Sequence, residues 1–246
     1  MNQYEKFHQL HHQQKPLMIA NAWNAKSAQL IEEAGFEATG TSSGAISGSL
    51  GYDDGEKIPF NELLYIVQRI SASIKIPLSV DMERGYTDDL NILTDNIQKL
   101  IDIGVAGINI EDAQGEEIYL RKLETIKNYL LKTNQQLFIN ARTDVFLQKL
   151  PSPLETTLRR AKLYQDAGAD GLFVTAVPDA GIIEEITRSV TLPVNMVGTP
   201  KIPAETLASL GVKRISMAVL LYKATYNQLE KISRDIKAKN SFSPLF

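Results

Sequence analysis

Short runs of consecutive apolar residues alternate along this chain with longer stretches in which apolar residues recur at helical spacing. The short runs fall near 17–20, 37–41, 77–81, 107–110, 137–141, 171–174, 192–196 and 213–216. They are continuous rather than alternating, which marks strands covered on both faces, as in a parallel sheet. The stretches between them, among them 61–73, 90–103 and 154–167, predict amphipathic helices. Gly35, Gly104, Gly168 and Gly211 each stand where a helix would end and a strand soon follows, the place for a left-handed helix-closing residue. Pro77 and Pro193 open two of the strands, where a missing N–H breaks no ladder.

About eight β-then-α units predict an α/β chain closed as a (β/α)8 TIM barrel. An open doubly wound sheet would place a phosphate-binding glycine turn after its first strand, and MIANAW offers none. The 246 residues suit one barrel domain over 1–246. The stretch 221–240 reads as a last helix with a mixed-charge face, and the tail SFSPLF either frays or packs on a neighbouring subunit.

Composition narrows the function. No apolar run approaches the ~20 residues that cross a bilayer, so no membrane partner is expected. The N-terminus lacks the apolar core of a secretion signal, so a cytoplasmic location is expected. There is no cysteine, which excludes thiol catalysis and leaves oxygen or imidazole for any metal. A net charge of −3 without a basic block gives no reason to expect nucleic acid. A small ligand is the better expectation.

In a barrel, chemistry gathers at the carboxyl ends of the strands. The third strand ends in Asp81-Met82-Glu83, and a period of two turns Asp81 and Glu83 the same way. The fourth ends in Glu111 and Asp112, and the fifth in Arg142 and Asp144. One such acid is ordinarily a solvated surface charge. Asp81, Glu83 and Glu111 on adjacent strand ends would repel one another, and a hard cation such as Mg²⁺ relieves that. Arg142 offers a donor fork to an anionic ligand, or else neutralises Glu111. The loop after the second strand places Ser42, Ser43 and Gly44 where amides can cradle an anion, and Asp54 where it can fold back as a general base. Asn195 is a donor candidate at the end of the seventh strand, with a capping role the even alternative. Trp23 is a core plug or a pocket wall. His8, His11 and His12 have helical spacing but precede the first strand, and read as a solvated face.

The stretches IANAWNAKSAQLIEEAGF, SGSLGYDDGE, SVDMERGY, GVAGINIED, NARTD and AGADGLFV, in this order over about residues 17–220, together resemble the isocitrate lyase/phosphoenolpyruvate mutase superfamily. The resemblance implies a barrel, often a tetramer exchanging a C-terminal helix, that binds Mg²⁺ and makes or breaks a C–C or P–C bond beside a 2-oxo acid through an enolate-like species. It assigns Asp81 to direct metal contact, Glu83 and Glu111 to contact largely through water, and Asp54 to the vicinity of the reacting group. It further assigns Arg142 to the substrate, and the amides of Ser42, Ser43 and Gly44 to the substrate carboxylate. A homo-oligomer, dimer or tetramer, is implied. The lyases of the superfamily carry a cysteine-bearing loop after the fourth strand and the phosphonate enzymes a lysine-rich one. Here EDAQGEEIYLRKLETIKN is short and acidic with neither. That argues against isocitrate or methylisocitrate cleavage, weakens the case for mutase activity, and leaves a hydrolase, a decarboxylase or a weakly catalytic oxo-acid-binding protein as alternatives. Tyr52, Tyr86 and Tyr119 are the candidates to protonate an enolate. A Schiff-base aldolase would need a lysine at a strand end, and none stands there.

Overall fold

A computed structural model describes residues 1–246. Eight parallel strands close on themselves in chain order, β1 to β8, with β8 pairing back to β1. They are β1 Leu17–Ala22, β2 Thr39–Thr41, β3 Leu78–Asp81, β4 Gly107–Glu111, β5 Phe138–Thr143, β6 Gly171–Val174, β7 Val194–Val197 and β8 Arg214–Ser216. All eight strands fall near the expected positions, although β2 (Thr39-Gly40-Thr41) and β8 (Arg214-Ile215-Ser216) are polar segments rather than apolar runs. The helices are α1 Gln3–His11, α2 Ala25–Glu33, α3 Ser43–Ser49, α4 Phe60–Ser71, α5 Leu90–Asp102, α6 Glu116–Thr133, α7 Pro153–Asp166, α8 Ala180–Ser189, α9 Ala204–Ser209 and α10 Leu220–Lys239.

Local chemistry sets the joints. Asp89 caps α5 by accepting from the amides of Asn91 and Ile92, and Leu93, Ile97 and Leu100 bury its inner face. Gly168 follows α7 at φ +99°, and a Cβ there would lie 2.6 Å from Lys127 Cγ, so both backbone and packing demand glycine. Pro77 and Pro193 stand just before β3 and β7, and their carbonyls accept from Thr39 N and Leu172 N across the ladder.

Helix α1 plugs the amino end of the barrel. Phe7 packs with Leu17, Ile19, Ala38, Ala106 and Phe138 in an apolar base. His11 belongs to that plug, stacked on Phe138 with ring centroids 4.1 Å apart. Burial lowers His11 to about 3, so it is a neutral core residue rather than part of a solvated face. Trp23 is a buried wall, edge-on to Tyr222 of α10 at 5.4 Å.

Above the base the barrel interior is polar. Asn140 Nδ2 donates to Asn109 at 2.8 Å and to Asn195 at 3.0 Å. Arg214, fully buried, reaches Asn109 at 3.3 Å and lies over the Phe7 ring. Asn195 is therefore misplaced by the sequence reading. β7 continues to Val197, so Asn195 lies below the mouth at 1% exposure. Its Nδ2 is spent on Arg214 O, Met196 O and Ser216 Oγ.

Candidate functional site

The carboxyl ends of β3, β4 and β5 carry the charged groups. β4 and β5 extend to Glu111 and past Arg142, which makes these two direct register partners. Arg142 Nη1 lies 2.8 Å from Glu111 Oε2. The fork expected for a ligand is largely taken: Arg142 Nε and Nη2 each donate to Asp144 at 2.8 Å. Two of the five guanidinium N–H donors are given to Asp144 and Nη1 faces Glu111 as an ion pair, leaving N–H donors on both terminal nitrogens for a ligand. Burial works against the charge of Arg142, but the hydrogen bonds of Asp144 and the charge of Glu111 outweigh it and raise its pKa.

Asp81 ends β3 and accepts from Ser43 Oγ at 2.9 Å and from Ser43 N at 3.3 Å. Its amide donates to Thr41 Oγ1 at 2.9 Å. Glu83 lies beyond the strand, so strand periodicity is not what brings it to the mouth. Its φ of +45° is strained for a residue with a Cβ. That conformation lets its carbonyl accept from Glu111 N at 2.7 Å, tying the ends of β3 and β4 together. Tyr86, also at positive φ, donates its hydroxyl to Glu83 Oε1 at 3.0 Å. Glu56 fixes this turn by accepting from the amides of Arg84 and Tyr86.

Burial, and then the neighbouring charge of Asp81, pushes Glu83 up to about 7. Burial pushes Glu111 up to about 8; Arg142 opposes the rise, while Asp81, Asp144 and Glu83 add to it. Asp54 contributes to the field on Glu83. Its carboxylate lies where a Gly44 Cβ would be, 2.9 Å from Oδ2, so the missing side chain of Gly44 lets the loop acid fold back over the mouth.

This crowding decides whether a divalent cation fits. The donor set is all oxygen, and two of its carboxylates hold protons well above their ordinary range, first because they are buried and then because they repel one another; a hard cation would relieve the repulsion. No three acidic or imidazole side chains converge closely enough to enclose an ion. The expected convergence of Asp81, Glu83 and Glu111 on a single point is therefore not met, and a cation here would take few carboxylates directly.

The anion cradle at Ser42–Gly44 is narrower than the sequence implies. Ser42 caps α3, with Oγ accepting from Ala45 N and its own amide given to Ala22 O. Ser43 N is turned to Asp81, and only the Gly44 amide has no protein acceptor. Asp112 is not at the mouth; it is 1% exposed and turned toward α7. Of the three tyrosines, Tyr52 binds Glu62 and Tyr119 is buried on Ile110 O, leaving Tyr86 alone at the site. The Asp144 clamp on Arg142 goes beyond the sequence expectations, although the two-residue spacing of the pair is a signal for it.

The family profile described as Phosphoenolpyruvate phosphomutase matches residues 7–237. An uncharacterized Mycobacterium tuberculosis protein is 36% identical over 219 residues, 89% of this chain and 83% of its own. The oxaloacetate decarboxylase of Pseudomonas fluorescens is 31% identical over 228 residues, 85% of this chain and 78% of its own. A solved structure from Burkholderia cenocepacia superposes with a TM-score of 0.89 at 31% identity, covering 94% of this chain and 99% of that one.

Proposed function

Because this chain belongs to the phosphoenolpyruvate phosphomutase family, we propose that it is a Mg²⁺-dependent, lyase-type enzyme. In this reading it cleaves a C–C or P–C bond beside the 2-oxo or 2-hydroxy carbon of a small carboxylate, through an enolate-like species. The observation that carries the reading is the crowding of Asp81, Glu83 and Glu111 against Arg142 on adjacent strand ends.

Asp81, oriented by Ser43, would hold Mg²⁺, with Glu83 and Glu111 as the further acids of its site. Bound there, Mg²⁺ supplies positive charge to stabilise oxyanion development on the substrate. Arg142 takes the far anionic group with the N–H donors that Asp144 leaves unbound, and Glu111 and Asp144 keep its plane fixed. The Gly44 amide donates to the substrate carboxylate. Asp54 stands over the reacting group from the loop that Gly44 admits. Tyr86 Oη keeps its proton at neutral pH, since burial and the Glu83 charge raise it far above the usual tyrosine range, and holds that proton 3.0 Å from Glu83.

One feature favours decarboxylase- or hydrolase-type chemistry within this class. The loop between Glu111 and Glu116 is short and pinned: Gln114 donates to Asp88 at 2.9 Å, Lys122 to Gln114 at 2.8 Å, and Arg159 to Glu116 at 2.6 Å. A loop tied at three points does not sweep over the mouth as a lid. Solvent then has access to protonate the enolate.

Thermal-shift and turnover measurements test the proposal together. Oxalate with Mg²⁺ should stabilise the protein, and oxaloacetate should yield pyruvate at a rate that Asp81→Ala abolishes without unfolding the chain. Loss of such a charge stabiliser corresponds to roughly 2.7–4 kcal/mol in the barrier. Stabilisation without turnover would leave an oxo-acid-binding protein. Turnover that persists in Asp81→Ala would remove the metal role.

The whole chain is proposed to act as one barrel unit that assembles as a homo-oligomer. No residue of α10 is buried, although Leu220, Tyr226 and Leu229 are apolar and exposed. A groove walled by Trp23, Leu30, Phe36 and Leu221 runs beside it. Light scattering on Leu229→Glu should show a smaller assembly than the parent.

A further inference from the structure

We propose that Asp112 is a positioning residue for Arg142, held in place by Arg160 and Tyr164. The inference rests on the reading of Arg142 as the anion-binding residue.

Asp112 brackets residue 142 from both sides. Its amide donates to Arg142 O at 3.2 Å, and its Oδ1 accepts from Asp144 N at 3.0 Å. The peptides on either side of Thr143 are therefore fixed by one residue of the neighbouring strand. Asp144, so anchored, turns its carboxylate back onto Nε and Nη2 of Arg142, and Thr175 Oγ1 donates to Asp144 Oδ1 at 2.6 Å. The other oxygen of Asp112 collects three donors at 2.6 Å each: Thr143 Oγ1, Arg160 Nη1 and Tyr164 OH. A buried carboxylate with four donors and a guanidinium partner is held to one geometry, because any rotation strands a charge in a dry site. Arg160 also reaches Glu116 at 3.2 Å, so the anchor ties α7 and the start of α6 to the rung that carries Arg142. Asp112 reaches the Arg142 guanidinium only through the backbone of residues 142–144 and the side chain of Asp144.

The test uses Mg²⁺ alone, and oxalate in the presence of Mg²⁺, as calorimetric probes, together with NMR of the Arg142 Nε–H, assigned with Arg142→Lys. In the parent protein, the Asp144 acceptor should make that N–H exchange slowly with water. Asp112→Asn should speed its exchange and weaken oxalate by about 10- to 100-fold, leaving Mg²⁺ affinity unchanged. Tyr164→Phe, which removes one donor and no charge, should shift both readouts in the same direction by less, and Arg160→Lys should retain more oxalate affinity than Arg160→Met. A protected Nε–H and parental oxalate affinity in Asp112→Asn would overturn the proposal. Equal loss of Mg²⁺ and oxalate in both Asp112→Asn and Tyr164→Phe would also overturn it, since that marks a general fold defect. If the parent binds no oxalate, the metal and oxo-acid reading fails, while the exchange rate still reports on the anchor.

Discussion

Glu111 and Arg142 are partners on the last rung between β4 and β5, joined at 2.8 Å with both side chains mostly buried. The pair is asymmetric. Arg142 has Asp144 as a second carboxylate, whereas Glu111 has Arg142 as its ion-pair partner and like charges around it.

Arg142→Met should move the titration of Glu111 further above its parental value of about 8, because the one influence lowering its pKa is gone. The unfolding free energy should fall by about 1–3 kcal/mol, the range for a buried polar group deprived of its partner. Urea unfolding measures the loss, and a carbon-13 titration of the glutamate carboxyls measures the rise. A Glu111 that titrates as in the parent would show that the pair does not control it.

Stability should depend on pH in a direction set by two carboxyls. Glu83 at about 7 and Glu111 at about 8 both lie above the value of an unfolded carboxyl. Between the unfolded and folded values the native chain binds the extra protons, so its stability falls as pH rises through that window. The contribution is complete below the unfolded value and lost above about 8. Melting temperatures followed from about pH 7 to about pH 9, above the range in which the buried neutral His11 acts in the opposite direction, should decline without Mg²⁺ and decline less with it, because the cation replaces those protons. Identical profiles with and without Mg²⁺ would count against the cluster as its site.

Gly44→Ala separates stability from activity. Alanine favours the first turn of α3 by up to about 1 kcal/mol over glycine. Its Cβ would nonetheless lie 2.9 Å from Asp54 Oδ2 and push that carboxylate off the mouth. The melting temperature should hold or rise while oxaloacetate turnover falls. Unchanged turnover would remove Asp54 from the reaction.

Much of this protein was legible in the chain itself. Apolar runs separated by helical periodicity mark most of the strands, because burial on both faces leaves the same mark wherever it occurs, while the polar β2 and β8 are marked by the glycine closures Gly35 and Gly211 before them. Clustered acids at successive strand ends marked the mouth, since a barrel exposes polar groups there. Depth and direction were not legible. Asn195 lies inside because β7 runs two residues past it, and Asp112 turns toward α7 although it follows Glu111 directly. Residue type and spacing assign a face, but only the closed ladder fixes how far along the barrel axis a side chain lies and which partner claims its hydrogen bonds. That is why Arg142, and the two-residue step to Asp144 beside it, stand out in the sequence, while the anchor at Asp112 needed the tertiary structure: it joins β4 and β5 to Arg160 and Tyr164 of α7 across long sequence separations, and no local pattern encodes such contacts.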